Sequence, residues 1–153
     1  MRQLLTTGTR GNPTIDSLSV DSIAYLSQII EKVDIKGVAI STTNTFNVSD
    51  GSIHYYDVAA TANWTVDITD TVSLNDTLST GQAITVVTLV TQGATAYYNT
   101  DVTVDSGADA TIVWVDGAAP TAGTADGTDI YSYTVIKTGD NAFTVLASIN
   151  YYA

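Results

Sequence analysis

The sequence has no cysteine, only five basic residues, one histidine and two prolines among 153 residues. Without cysteine there is no disulfide framework, no zinc–thiolate site and no thiol nucleophile, and the redox compartment stays open. The lone histidine, His54, is the side chain best suited to general-base work near neutral pH, and no Gly-x-Ser-x-Gly elbow presents a serine to it. It alternates with tyrosines, as an ordinary surface or partly buried strand residue does. Gly8-Thr9-Arg10-Gly11 lacks the Lys-Ser/Thr pair that completes a phosphate-binding loop. No apolar run approaches the ~20 residues that span a bilayer. The N-terminus also lacks the basic stretch and apolar core of a signal peptide. The expectation is a chain made in a cytoplasm and used as made, with no membrane partner.

Acid is what the chain has in quantity, and its placement is uneven. Residues 1–36 carry Arg2, Arg10, Lys32 and Lys36 against Asp16, Asp21, Glu31 and Asp34, so that segment is neutral. Residues 37–153 carry twelve aspartates and only Lys137, so the whole net charge of −11 lies there. Such a surface repels phosphate backbones and disfavours a nucleic-acid partner. With fifteen Asp and one Glu, facing carboxylate pairs of the glycosidase kind arise by abundance alone and carry no signal. The Asp105–Asp109 and Asp126–Asp129 segments lack the ligand order of an EF-hand loop and read as turns. No catalytic residue, metal or cofactor is expected.

Along the chain, residues 1–18 mix Gly8, Gly11 and Pro13 with Thr, Asn and Arg and show no periodicity, which describes an extended arm. From Ser19 to Ile30, Val20, Ile23, Ala24, Leu26, Ile29 and Ile30 recur at roughly helical spacing, predicting one short amphipathic docking helix. From Glu31 the period becomes two. Strands are expected at Val33–Ile40, interrupted at Gly37, then around Phe46 and Val48, at Ile53–Val58 and at Asn63–Thr69. In the last of these Trp64, Val66 and Ile68 face in, as in a half-buried antiparallel strand. Residues 70–81 read as a loop with one helical turn.

The stretch Gln82–Tyr98, QAITVVTLVTQGATAYY, is apolar on both faces of its first run, with Ile84, Val86 and Val90 on one side and Val87 and Leu89 on the other. It reads as a central hairpin turning at Gly93, its first strand buried between two layers. Further strands are expected around Val102–Val104, Ile112–Val115, Ile130–Thr138 and Ala142–Tyr152. The fourteen-residue loop Asp116–Asp129 is long enough to need a reason, such as packing on a neighbour. The fold class is all-β: an antiparallel β-sandwich or jelly roll over residues 31–153, preceded by residues 1–30 as arm and helix.

Six of the nine tyrosines stand in adjacent pairs, Tyr55-Tyr56, Tyr97-Tyr98 and Tyr151-Tyr152. Neighbours in a strand point to opposite faces, so one ring of each pair is expected outside its own core. Such rings suit a subunit interface or stacking on a sugar ring, and the interface is the preferred reading.

Most of Glu31–Ala153, and most clearly Gly81 onward, resembles the C-terminal domain of structural and fibre-like virion proteins of tailed bacteriophages infecting marine bacteria and cyanobacteria. The stretches that carry the resemblance are TGQAITVVTLVTQGATAYYNT at Thr80–Thr100, GAAPTAG at Gly117–Gly123 and DIYSYTVIKTGDNAFTVLAS at Asp129–Ser148. The family often has Trp-Gln-Gly-Gly before its Ala-Pro loop, where this chain has Trp114-Val115-Asp116-Gly117, so different contacts are expected for that loop. Fibre members also carry a long shaft ahead of this domain, whereas here residues 1–30 precede it.

The resemblance implies a homotrimeric, non-enzymatic virion surface protein, assembled in the host cytoplasm. Combined with the short neutral arm and acidic body, it leads to the expectation of a capsid decoration (cement) protein seated on the major capsid protein or another virion protein. The alternative is a short tail fibre or receptor-binding module that recognises host glycans. The partner-binding residues expected from position and polarity are Arg2, Leu4, Leu5 and Arg10 in the arm and Ile23, Leu26 and Ile30 on the helix. Tyr97, Tyr98, Tyr151 and Tyr152 on the body complete the set.

Overall fold

Alternating apolar and polar residues become strands throughout the described part of the chain, which in this computed structural model is residues 29–153. Nine strands form: β1 Val33–Ala39, β2 Thr43–Asn47, β3 Ile53–Val58, β4 Trp64–Thr69, β5 Ala83–Thr91, β6 Asn99–Val104, β7 Asp109–Trp114, β8 Thr128–Gly139 and β9 Ala142–Tyr152. They make two sheets, a six-stranded one in the order β1-β3-β5-β8-β9-β7 and a three-stranded one in the order β2-β4-β6. The inward faces of both contribute to one core, so the class is all-β and sandwich-like. Phe46, Trp64, Val66, Ile68, Val102 and Val104 come from the smaller sheet, and Val86, Val90, Tyr131, Tyr133, Val135, Phe143 and Val145 from the larger.

Strand direction differs from the expectation. The first six strands alternate between the sheets, and each pairs in parallel with the strand two places away: β1 with β3 and β3 with β5, β2 with β4 and β4 with β6. The chain thus winds as three coils, and β4 is a parallel strand rather than an antiparallel one. Antiparallel pairing is confined to β5 with β8 and β8 with β9, while β7 joins the far edge parallel to β9. The central hairpin is likewise corrected, since β5 and β6 lie in different sheets. Gln92 explains this. Its amide donates to Tyr97 O at 2.8 Å and accepts from Tyr97 N at 3.0 Å, closing residues 92–97 into an arch that carries the chain across the core. Gly37 does not interrupt β1, although pairing with β3 shifts register between Lys36 and Ala39.

The expected helical turn in residues 70–81 is α1, Leu74–Thr77. A single turn cannot hold itself. Asp105 accepts from Leu74 N and Asn75 N, both at 2.9 Å, and at the other end Lys137 Nζ donates to Asn75 O and to Leu78 O, the latter at 2.9 Å. Negative and positive groups therefore sit at the ends where the peptide dipoles favour them. The arm and nearly all of the Ser19–Ile30 helix expectation, including Arg2, Leu4, Leu5, Arg10, Ile23 and Leu26, lie outside the described residues. Ile29 and Ile30 are in no regular element and are exposed.

Candidate docking surfaces

Each sheet has an outer face, and the two differ in chemistry. On the three-stranded sheet the outward residues are Thr43, Thr45 and Asn47 of β2, Thr65, Asp67 and Thr69 of β4, and Asp101 and Thr103 of β6. Several are tied together: Thr103 Oγ1 donates to Asp67 at 2.7 Å, and Ser106 N and Oγ both donate to Asp67 at 2.8 Å. This face is polar, with Asp67 and Asp101 as its carboxylates and Asp67 held by Thr103 and Ser106.

On the six-stranded sheet, register places outward residues in rows across the strands. One row is Ile35, Tyr55, Leu89 and Ile130; the next is Val33, Ile53, Val87 and Ser132; a third is Thr85, Thr134, Leu146 and Val113. Ile35, Leu146 and Val113 are 62%, 47% and 45% exposed. The charged residues among the outward positions of its strands are Asp57 at the end of β3 and Asp109 at the start of β7, both at the margin. Apolar side chains interspersed with Ser and Thr, and free of charge inside the margin, set this surface apart on a chain of net charge −11. The two-layer burial expected for β5 holds on one face, where Val86 and Val90 are fully buried; Val87 and Leu89 on the other are only half-buried.

Two shallow grooves, each of about 290 Å³, lie at the β7 end of the molecule. Val113, Ser132, Thr134, Leu146 and Ser148 line one on the outer face. Trp114, Asp116, Pro120, Ile149 and Tyr151 line the other beside it. Trp114 holds its place by packing edge-on against Tyr133, with centroids 6.3 Å apart.

The tyrosine pairs divide. Tyr56 is buried and Tyr55 lies half-buried on the outer face, as one-in, one-out alternation requires. Tyr97 and Tyr98 are both half-buried in the arch and not on a strand. Tyr151 and Tyr152, at the end of β9, are 53% and 57% exposed. Sequence reasoning did not single out Val33, Ile35, Val87, Leu89, Ile130 or Leu146 for binding, although the double-faced apolar character of β5 was a signal for them.

The Asp116–Asp129 loop is anchored within its own chain. Asp129 is buried and accepts from Gln92 Nε2 at 2.9 Å and from Thr124 N at 3.2 Å. Burial pushes its carboxyl above the usual carboxylate range, while the bonds from Thr124 and Gln92 oppose that shift. Backbone approaches so closely here that a Cβ on Gly123 would meet Tyr97 O at 2.3 Å and Asp129 Oδ2 at 2.6 Å.

His54 is fully buried, which corrects the surface or partly buried placement. Its ring stacks on Phe46, centroids 4.5 Å apart and planes 13° from parallel, and Nδ1 lies 3.2 Å from Asp34. Burial lowers its pKa, and Asp34 opposes the shift. The native state therefore holds neutral imidazole, while the unfolded chain protonates near ~6.5. Stability from this group is complete above that value and is lost as pH falls toward the lowered native one. Asp34 is held below the carboxylate range, first by its bond to Lys36, and its contribution disappears only below the unfolded carboxylate value near ~3.9. The melting temperature is expected to decline from pH 7.5 to 5.5, and His54→Gln should flatten that decline. An undiminished slope in the variant would assign the acid sensitivity elsewhere.

Among the described residues no group of three or more His, Asp or Glu is placed to hold a metal ion, and no helix is long and apolar enough to cross a membrane. Comparison of the chain with protein-family models, with curated proteins and with solved structures finds no match.

Proposed function

We propose that this chain is a non-enzymatic surface protein of a tailed-bacteriophage virion, a decoration or cement protein that docks on the capsid shell through its N-terminal arm and stabilises it. One observation supports this reading above the others: the outer face of the six-stranded sheet carries apolar rows and charge only at its margin, whereas the outer face of the three-stranded sheet is polar and carries Asp67 and Asp101. Such a molecule associates through one side and presents a repulsive, well-solvated side to other particles. The arm, with Arg2, Leu4, Leu5 and Arg10, engages the major capsid protein or another virion protein, and Ile23, Leu26 and Ile30 extend that contact. The protein assembles in the host cytoplasm as a homotrimer. We keep the two-sheet sandwich and not its jelly-roll variant, because the coils of β1–β6 are parallel.

Mixing purified protein with capsids that lack it, then pelleting, tests the reading. The full chain is expected to sediment with capsids, and a chain without residues 1–18 is expected to stay in the supernatant. A full chain that ignores capsids would sink the proposal. The second reading, a short fibre or receptor-binding module for host glycans, is favoured by the groove beside Trp114, Asp116 and Tyr151. An aromatic wall, a carboxylate and about 290 Å³ suit a single sugar ring. In that case glycan binding survives removal of residues 1–18 and fails on Trp114→Ala.

A further inference from the structure

We infer that the outer face of the six-stranded sheet is where copies of this chain meet. The inference rests on the self-association in the reading above, and not on the capsid.

Whatever covers this face must itself be free of charge over the same area, because a charge pressed against Leu89, Ile35 and Val87 would be desolvated without a partner. The same face of a second copy has that property over the same area. Two chains of −11 repel through most of their surfaces, yet here no like charges are opposed except at the rim, where Asp57 and Asp109 stay in water.

Side chains of different size alternate over the face. Ile35, Ile53, Tyr55 and Leu89 project from β1, β3 and β5, Ile130 and Leu146 from β8 and β9, and Ser132 and Ser148 line a groove of about 290 Å³ beside Leu146. Offset against itself, such a face sets projecting side chains of one copy against the groove of the next, a contact that closes in rings as well as in pairs.

The area suffices. Six strands at ~4.8 Å spacing and about six residues of height at ~3.3 Å give roughly 600 Å² per copy. Opposing two such faces in a pair removes roughly 1,200 Å², the lower bound of stable, specific interfaces, and a ring of three buries roughly 1,800 Å² in all, divided over three contacts.

The test is the mass of the full chain in solution, by light scattering, for wild type and for the double variant Ile35→Glu, Leu146→Glu. Both positions are about half exposed or more, so the variant should keep the wild-type circular dichroism, and that spectrum is its folding control. The pair Thr43→Glu and Thr45→Glu, exposed positions on the outer face of the three-stranded sheet, adds the same charge of about −2 and serves as the charge control. Wild type and the charge control are expected at three times 16.1 kDa, and the double variant at 16.1 kDa. A wild-type dimer that the double variant dissociates supports the face and corrects the copy number. A monomeric wild type overturns both the face and the self-association. An oligomer that the double variant leaves intact overturns the face alone, and neither result bears on capsid pelleting.

Discussion

Trp64→Ala is expected to cost the fold about 3–5 kcal/mol, a large part of the stability of a domain of this size. Trp64 is fully buried on β4, and Tyr131 meets its ring edge-on at 5.5 Å. Tyr131 in turn stacks with Tyr133, centroids 6.3 Å apart, so the ring fills the space between the two sheets where the aromatic packing is densest. Alanine leaves a cavity that close-packed neighbours from both sheets cannot collapse to fill. Trp64→Phe should cost much less than alanine. The indole Nε1 has no hydrogen-bond partner among the described residues, so phenylalanine removes a buried donor while keeping most of the apolar volume. Urea unfolding followed by circular dichroism gives both values. Equal losses for the two variants would mean that ring volume is not what position 64 supplies.

At neutral pH, Asp129→Ala is expected to cost about 1–3 kcal/mol, since Thr124 N and Gln92 Nε2 lose a buried acceptor. Asp129→Asn separates acceptor from charge. An asparagine oxygen in the place of Oδ2 still accepts both bonds, so the loss should be smaller than with alanine. Asp129 is an acid whose native pKa is raised above the unfolded value near ~3.9. Its burial therefore penalises folding above the native pKa, and the penalty is relieved as pH falls through it. Asn is therefore expected to compare most favourably with Asp at pH 7 and to lose ground to it on acidification. Unfolding midpoints of the three proteins at pH 7 and pH 4.5 measure this, and an Asn protein that gains on the Asp protein at low pH would reverse the assignment.

The strands were legible wherever a period of two was strong: Trp64, Val66 and Ile68 point inward as their alternation requires, as do Tyr131, Tyr133 and Val135. The one-turn helix was legible because polar residues around Leu74 broke that period. Partner choice was not. A strand's own residues carry its faces, but not whether its neighbour is 20 or 36 positions away, and Gly93 looks the same in a hairpin as in an arch. Gln92, the residue that decides between them, reads locally as one more polar turn residue. The candidate surface follows the same division. Val87 and Leu89 announced an apolar second face on β5, yet only the register with β3 and β8 joins them to Ile53, Tyr55 and Ile130 in rows. Long-range pairing is the information a local pattern lacks.

The winding of β1 to β6 also sets an order of events as the chain is made. Each coil can lay its strands on the coil before it as soon as it leaves the ribosome, but the open side of β5 has no partner until β8 has been synthesised. For that interval the emerging polypeptide carries an unpaired nine-residue strand of almost continuous β-branched and aliphatic residues. Such an edge is a template for other chains. The interval between the synthesis of Thr91 and that of Gly139 is thus when this protein is most exposed to aggregation, and the β8–β9 hairpin is the piece that ends the exposure.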